Sequence, residues 1–223
     1  PQLSKHIQSK KKDKILLIQN KALELSLFLS LPASLALIIG SEHIISALFG
    51  YGSFNEIAVH NSAKALYFFA IGLPAFSLIK IFSTFFFANH DTKTPFYISL
   101  LSVILNIIIS IYYFKEIGFI IIPIATSISS WFNGILLFIF LRKNNLFKFN
   151  NIFILRFIKI IIASSFMGIF FNYLLIYFQN QLSFDQSIKS FYLILSVLLG
   201  LLFYLLISYW IKAFKTGDFK LKY

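Results

Sequence analysis

Polar residues interrupt this chain only in short clusters, and apolar runs fill the intervals. The stretch FFANHDTKTPF at 86–96 shows the pattern. Phe86, Phe87 and Ala88 close one apolar run, the polar residues Asn89 to Thr94 follow, and Pro95 and Phe96 open the next. Six such runs can be read, at 25–49, 65–88, 96–114, 117–141, 153–178 and 191–211. Each fills the roughly 20 residues that a helix needs to cross the hydrocarbon of a bilayer. Strands of a membrane barrel would alternate polar and apolar over about 10 residues. Runs such as IIIP and LLGLLFYLL do not. The pattern predicts an all-α fold, a polytopic bundle of six transmembrane helices. It divides the chain into a basic segment at 1–24, four helices within 25–141, a basic loop at 142–152, two helices within 153–211 and a basic tail at 212–223.

Composition agrees with this division. Hydrophobic residues make up 58% of the 223-residue chain and charged residues only 13%, against roughly 25% charged in a typical soluble domain. A water-soluble fold of this length would leave about a third of its chain surface exposed, and there are too few polar residues to cover it. The absence of cysteine excludes disulfide frameworks, thiolate zinc sites and thiol nucleophiles. The basic opening PQLSKHIQSKKKDK has no apolar core of the kind a signal peptide needs. Because the chain begins on Pro1, a start further upstream is expected.

Charge tests the map independently. If all six runs cross, segments 1–21, 89–94, 142–159 and 212–223 share one side and together carry +13. Segments 42–64, 115–116 and 179–190 share the other and carry −1. Cytoplasmic loops are enriched in Lys and Arg, so both ends of the chain are expected in the cytoplasm. The net charge of +12 lies on membrane-flanking loops, where anionic phospholipid headgroups are the natural partner. It is not gathered on one folded face as nucleic-acid binding requires.

A few residues stand out within the runs. Pro32, Pro74 and Pro123 lie inside three of them; they read either as ordinary kinks or as hinges of a transporter. Lys80 is the one charge well inside a run. It either snorkels its stem toward the headgroups or faces a polar cavity and meets an anionic substrate group. Asn106 sits near mid-membrane and reads as an amide bonding to a neighbouring helix. Ser127, Ser129, Ser130, Asn133 and Gly134 form a small, polar stripe, which is either close helix packing or a cavity wall. Lys80, Asn106, Ser130 and Asn133 are therefore the candidates for a substrate cavity. No nucleotide loop, dinucleotide fingerprint or H-E-x-x-H motif occurs. No catalytic constellation, metal site or cofactor is expected.

The segments LFGYGSF at 48–54 and AIGLPAFSLIKIFSTFFFANHDTKTP at 70–95 resemble the C-terminal half of the bacterial lipid II flippases. This MviN-type family belongs to the superfamily that exports drugs, oligosaccharidyl-lipids and polysaccharides. The matching positions are Leu48, Phe49, Gly52 and Phe54; Gly72 and Pro74; Ala88, Asp91, Thr92, Thr94 and Pro95; and Asn106. PQLS at the start and TGDFK near the end also resemble family features. The resemblance implies structural roles for Phe49, Gly52, Gly72, Pro74, Asp91, Thr94 and Pro95. It implies an inner-membrane protein that moves a lipid-linked glycan precursor by alternating access, without a chemical reaction, in cell-wall synthesis. The family has fourteen helices, so this chain would supply the last six and would need the missing N-terminal helices as a partner. Residues 153–178 and 191–211 would line a groove for the lipid tail. Where the family often carries a Glu-Arg pair, this chain has Gly50 and Tyr51. A related exporter of drugs or other lipid-linked glycans, or a non-transporting membrane fragment, are the alternatives.

Overall fold

The computed structural model describes residues 12–213, with side chains from Ile15 onward. PQLS at the start and the TGDFK tail lie outside the described residues. Six α-helices follow in order: α1 Lys12–Phe49, α2 Glu56–Ala88, α3 Lys93–Ile117, α4 Ile121–Lys143, α5 Asn151–Tyr177 and α6 Lys189–Trp210. A single 3-10 turn, Gly118–Ile120, joins α3 to α4. No strand occurs among the described residues. The all-α expectation holds.

The count of separate crossings needs one correction. Five stretches among the described residues are long and apolar enough to cross a bilayer, not six, because Lys93–Lys143 is unbroken over 51 residues. Hydropathy cannot divide it, since Lys115 and Glu116 are its only polar break. Geometry does divide it. Gly118 turns the chain with φ 72° and ψ −153°, a region open essentially to glycine alone, and α3 and α4 then pack against one another.

Two further expectations shift. Helix α1 begins at Lys12 and runs 38 residues, about 57 Å at 1.5 Å per residue. That is nearly twice a hydrocarbon core, and residues 12–24 of the basic segment are part of the same helix. Pro123 is not an internal kink. It is the third residue of α4, in the first turn, where its missing N–H has no helical partner to lose. Pro95 occupies the same position in α3, as expected.

Short connections are closed by local hydrogen bonds. After α2, the Asp91 N–H reaches Phe86 O and the His90 N–H reaches Phe87 O, with His90 at φ 63°. After α4, Leu146 and Asn145 repeat the pattern to Leu141 and Arg142, with Asn145 at φ 55°. This paired closure satisfies the last carbonyls of a helix. Asn55 and Asn150 cap α2 and α5, accepting the N–H groups of Ala58 and Ile152. Asp91 accepts the Thr94 N–H at 3.0 Å, and that bond holds the Asp91 carboxyl below its usual range.

The described chain packs as two compact units. One comprises residues up to Ser30 with Ile71–Leu155; the other comprises Leu31–Ala70 with Arg156 onward. Helices α1, α2 and α5 each contribute to both.

The first unit has an aromatic core. Phe147, fully buried, lies 5.0 to 6.4 Å from the rings of Phe82, Phe85, Phe138 and Phe149. The linker that carries Phe147 is tied to α1. Gln19 Nε2 donates to Leu146 O, Asn20 Nδ2 to Lys148 O, and Asn20 Oδ1 accepts the Asn150 N–H. Helix α3 buries only Pro95, Ile98 and Ser102, and most of its apolar surface is exposed.

The second unit uses small residues to bring helices together. Phe171 of α5 fits against Gly40 of α1 and Gly200 of α6. Helix α6 buries one narrow stripe, Lys189, Leu193, Ser196, Gly200, Tyr204 and Ser208, and its remaining faces are exposed and apolar.

Gly72 on α2 is the tightest contact in the first unit that a family motif supplies. A methyl built there would stand 2.8 Å from Ser127 Oγ and 3.2 Å from Ser127 Cα on α4. At Gly134 the nearest atom would be 3.8 Å away. Gly72→Ala is therefore expected to cost about 1–3 kcal/mol by overpacking. Gly134→Ala should be neutral, or stabilising by up to about 1 kcal/mol through helix propensity. Thermal unfolding of both variants in detergent checks this, and equal melting points would contradict it.

Candidate functional site

The small, polar stripe of α4 meets α3. Asn106 Nδ2 lies 3.2 Å from Thr126 Oγ1 and 3.3 Å from Ser129 Oγ. Thr126 and Ser130 donate their own hydroxyl protons to Ile122 O and Thr126 O, as helical Ser and Thr in apolar surroundings commonly do. Asn133 Nδ2 reaches Ser99 Oγ at 3.4 Å, and its Oδ1 is buried without a hydrogen-bond partner among the described residues. Two of the four candidates, Asn106 and Asn133, thus bridge α3 and α4, and Ser130 is buried on α4 with its hydroxyl bonded inside that helix. Lys80 is not with them. It lies exposed on α2, and its backbone carbonyl accepts the Thr84 hydroxyl.

Pro74, one of the motif residues, is buried inside α2. A proline within a helix leaves the carbonyl four residues earlier without its donor. That carbonyl, Ala70 O, accepts the buried Ser34 hydroxyl of α1 at 2.6 Å. The next one, Ile71 O, accepts Trp131 Nε1 of α4 at 3.0 Å. Both atoms are served by side chains from other helices.

The 48–54 motif forms the turn after α1. Gly52 adopts φ 59° there, and the exposed Phe49 ring lies 6.3 Å from Phe54. Phe54 in turn packs on Ile45, Val59 and Ala63. The start of α6 closes this turn. Lys189, 1% exposed, donates from Nζ to Gly50 O at 2.6 Å and to Phe184 O at 2.7 Å. The same ammonium sits 4.3 Å from the Tyr51 ring centroid and 4.5 Å from that of Phe184. Ser190 donates to Ala47 O at 2.6 Å, which leaves its oxygen to accept from Tyr51 Oη at 2.7 Å. A cation and a hydroxyl thus reach carbonyls at the C-terminal end of α1, where the helix dipole favours positive charge.

Sequence reading placed Lys189 among loop charges; the structure buries it, while Lys80 stays inside α2 with its side chain exposed. The only hint was that Gly50 and Tyr51 replace a charged pair of the resembled family. Those two residues are the ones that receive Lys189, Gly50 through its carbonyl and Tyr51 through its ring face.

The five long apolar stretches, the lipid-ready faces and the polar groups paired between helices define a multi-pass α-helical membrane protein. A family model described as lipid II flippase MurJ matches residues 1–193. The chain belongs to that family. A probable lipid II flippase MurJ of Rickettsia prowazekii is 39% identical over 145 residues, 65% of this chain and 29% of its own length. One from Rhizobium tropici is 29% identical over 97% of this chain and 41% of its own. A solved lipid II flippase MurJ in an inward closed conformation shares 28% identity and a TM-score of 0.72 over 92% of this chain and 40% of its own. The chain therefore spans well under half the length of these relatives.

If Lys189 holds the turn, its removal must leave two carbonyls in an apolar pocket without donors. Lys189→Met is expected to lose about 2–4 kcal/mol, while Lys80→Met should change stability by less than about 0.5 kcal/mol. Chemical unfolding in mixed micelles compares them, and a K189M protein as stable as K80M would refute the latch.

Proposed function

We propose that these helices work as part of a lipid II flippase. Undecaprenyl-pyrophosphate-linked peptidoglycan precursor moves across the bacterial inner membrane by alternating access, and no bond is made or broken. The observation that carries this reading is the family match over residues 1–193, joined to a shared fold over most of the chain. Alternating access needs two bodies moving about a central site. Residues 25–141 serve as four helices of one such lobe, and the rest of a full-length flippase supplies its counterpart.

Helices α5 and α6 carry the lipid tail in this reading. Their exposed residues, among them Ile162, Ile169, Val197 and Leu201, offer an apolar surface at about 0.8 kcal/mol per buried methylene. The exposed ammonium of Lys80 is the proposed contact for an anionic group of the substrate. One such charge is too little to hold a pyrophosphate away from water, so headgroup binding falls mainly to the counterpart.

Two experiments test this reading. The charge partition of +13 against −1 supports a cytoplasmic position for both ends and residue 145, and an outside position for residues 57 and 185. Reporter fusions at those three positions are expected to find 145 alone inside; an external 145 would overturn the orientation. For transport, residues 1–223 replace the matching segment of a host flippase whose own gene is depleted. The chimaera is expected to restore growth and lipid II translocation, and residues 1–223 alone are not. A chimaera that inserts normally but does not translocate would contradict the proposal.

A further inference from the structure

Beside the Lys189 latch, and wholly within the second unit, opens a cavity of about 620 Å³. The end of α1, the start of α2 and the 179–184 segment line it. Its polar wall holds Glu42, Glu56, His43, His60 and Ser46, and its apolar wall includes Ile57 and Phe184. Nothing in the account of lipid transport uses these groups.

The wall carries two carboxylates and two buried polar atoms without partners among the described residues. Ser46 is only 6% exposed, yet its Oγ has no hydrogen-bond partner among the described residues, and neither has the buried Nδ1 of His43. Leaving such atoms unpaired away from water is costly, which argues that something polar meets them. Glu42 and Glu56 bring two carboxylates, one of them 3.6 Å from His60 Nδ1. No Lys or Arg lines the cavity among the described residues; Lys189 is turned into its own carbonyl and aromatic cage. A metal does not fit, because no group of three or more His, Asp or Glu side chains among the described residues could hold one.

We propose that this cavity binds a primary ammonium carried on a short apolar stem. Such a group brings three donors and one positive charge to a wall of carboxylates, hydroxyl and imidazole acceptors. The stem lies along Ile57 and Phe184. The chemistry fits a soluble amine or the headgroup of an aminolipid. It does not rest on the lipid-carrier reading, which stands or falls on translocation.

The test uses residues 1–223 in nanodiscs of phosphatidylglycerol at pH 8, where an ordinary imidazole is neutral. Binding of n-pentylammonium, 1-pentanol and pentanoate is measured by calorimetry against empty discs. Pentylammonium is expected to bind about tenfold or more tighter than the other two, as a charge-assisted contact requires. Its affinity should fall about tenfold in the E42Q/E56Q double variant and several-fold in Ser46→Ala. Discs containing phosphatidylethanolamine separate the sources: weaker apparent binding assigns the site to an aminolipid, unchanged binding to a soluble amine. Equal binding of the three pentyl probes would overturn the proposal, even if the double variant failed to fold. So would an affinity for pentylammonium that E42Q/E56Q leaves unchanged in a folded protein.

Discussion

Inside a bilayer no water is at hand to satisfy a polar atom, and the rest of this structure depends on that constraint. Pro74 makes the case most clearly. It lies inside α2 and leaves Ala70 O without its helical donor, a group that lipid cannot solvate. Ser34 and Trp131 reach in from α1 and α4 and take Ala70 O and Ile71 O. The proline site is therefore also a fastening between helices. Gly72, two residues earlier, lets α4 approach closely enough for this to work.

The same logic governs the ends of helices. Orphan carbonyls at the end of α1 are taken by Lys189 and Ser190 from the start of α6, so distant parts of the chain share one closed turn. In the first unit, Asn20 holds both a carbonyl and an N–H of the linker that precedes α5. An amide can do this because it donates and accepts at once. Polar side chains are few here, and the pairs made between elements join parts that hydrophobic burial alone would leave free to slide. In lipid, apolar surfaces of helices gain little from meeting one another.

How much of this was legible in the sequence follows from the same physics. Apolar runs must be long to cross a bilayer, so α2 to α6 could be located from pattern alone, and Pro95 and Asn106 found in their expected roles. The polar beginning of α1 could not, because helix outside the hydrocarbon has no hydropathy signal. The α3–α4 turn showed only as the pair Lys115–Glu116, since one glycine conformation makes it and no longer polar cluster marks it. Lys189 was misjudged because a lysine beside an apolar run reads as a loop charge. Only folding shows that two carbonyls and two aromatic rings close around it. Ser46 and His43 gave no sign at all, since an unpaired acceptor is a property of the packed structure.

The central claim, that a donor from a neighbouring helix stabilises this bundle by meeting the carbonyl a proline has freed, is tested most directly by a double-mutant cycle. Ser34→Ala is introduced into the native protein and into a Pro74→Ala background, and unfolding free energy is measured in the same micelles. In the native protein the loss is expected to be about 1–2 kcal/mol, the cost of an unsatisfied buried acceptor. With alanine at 74, its own N–H can serve Ala70 O, and the loss should shrink to below about 0.5 kcal/mol. Equal losses in the two backgrounds would contradict the account.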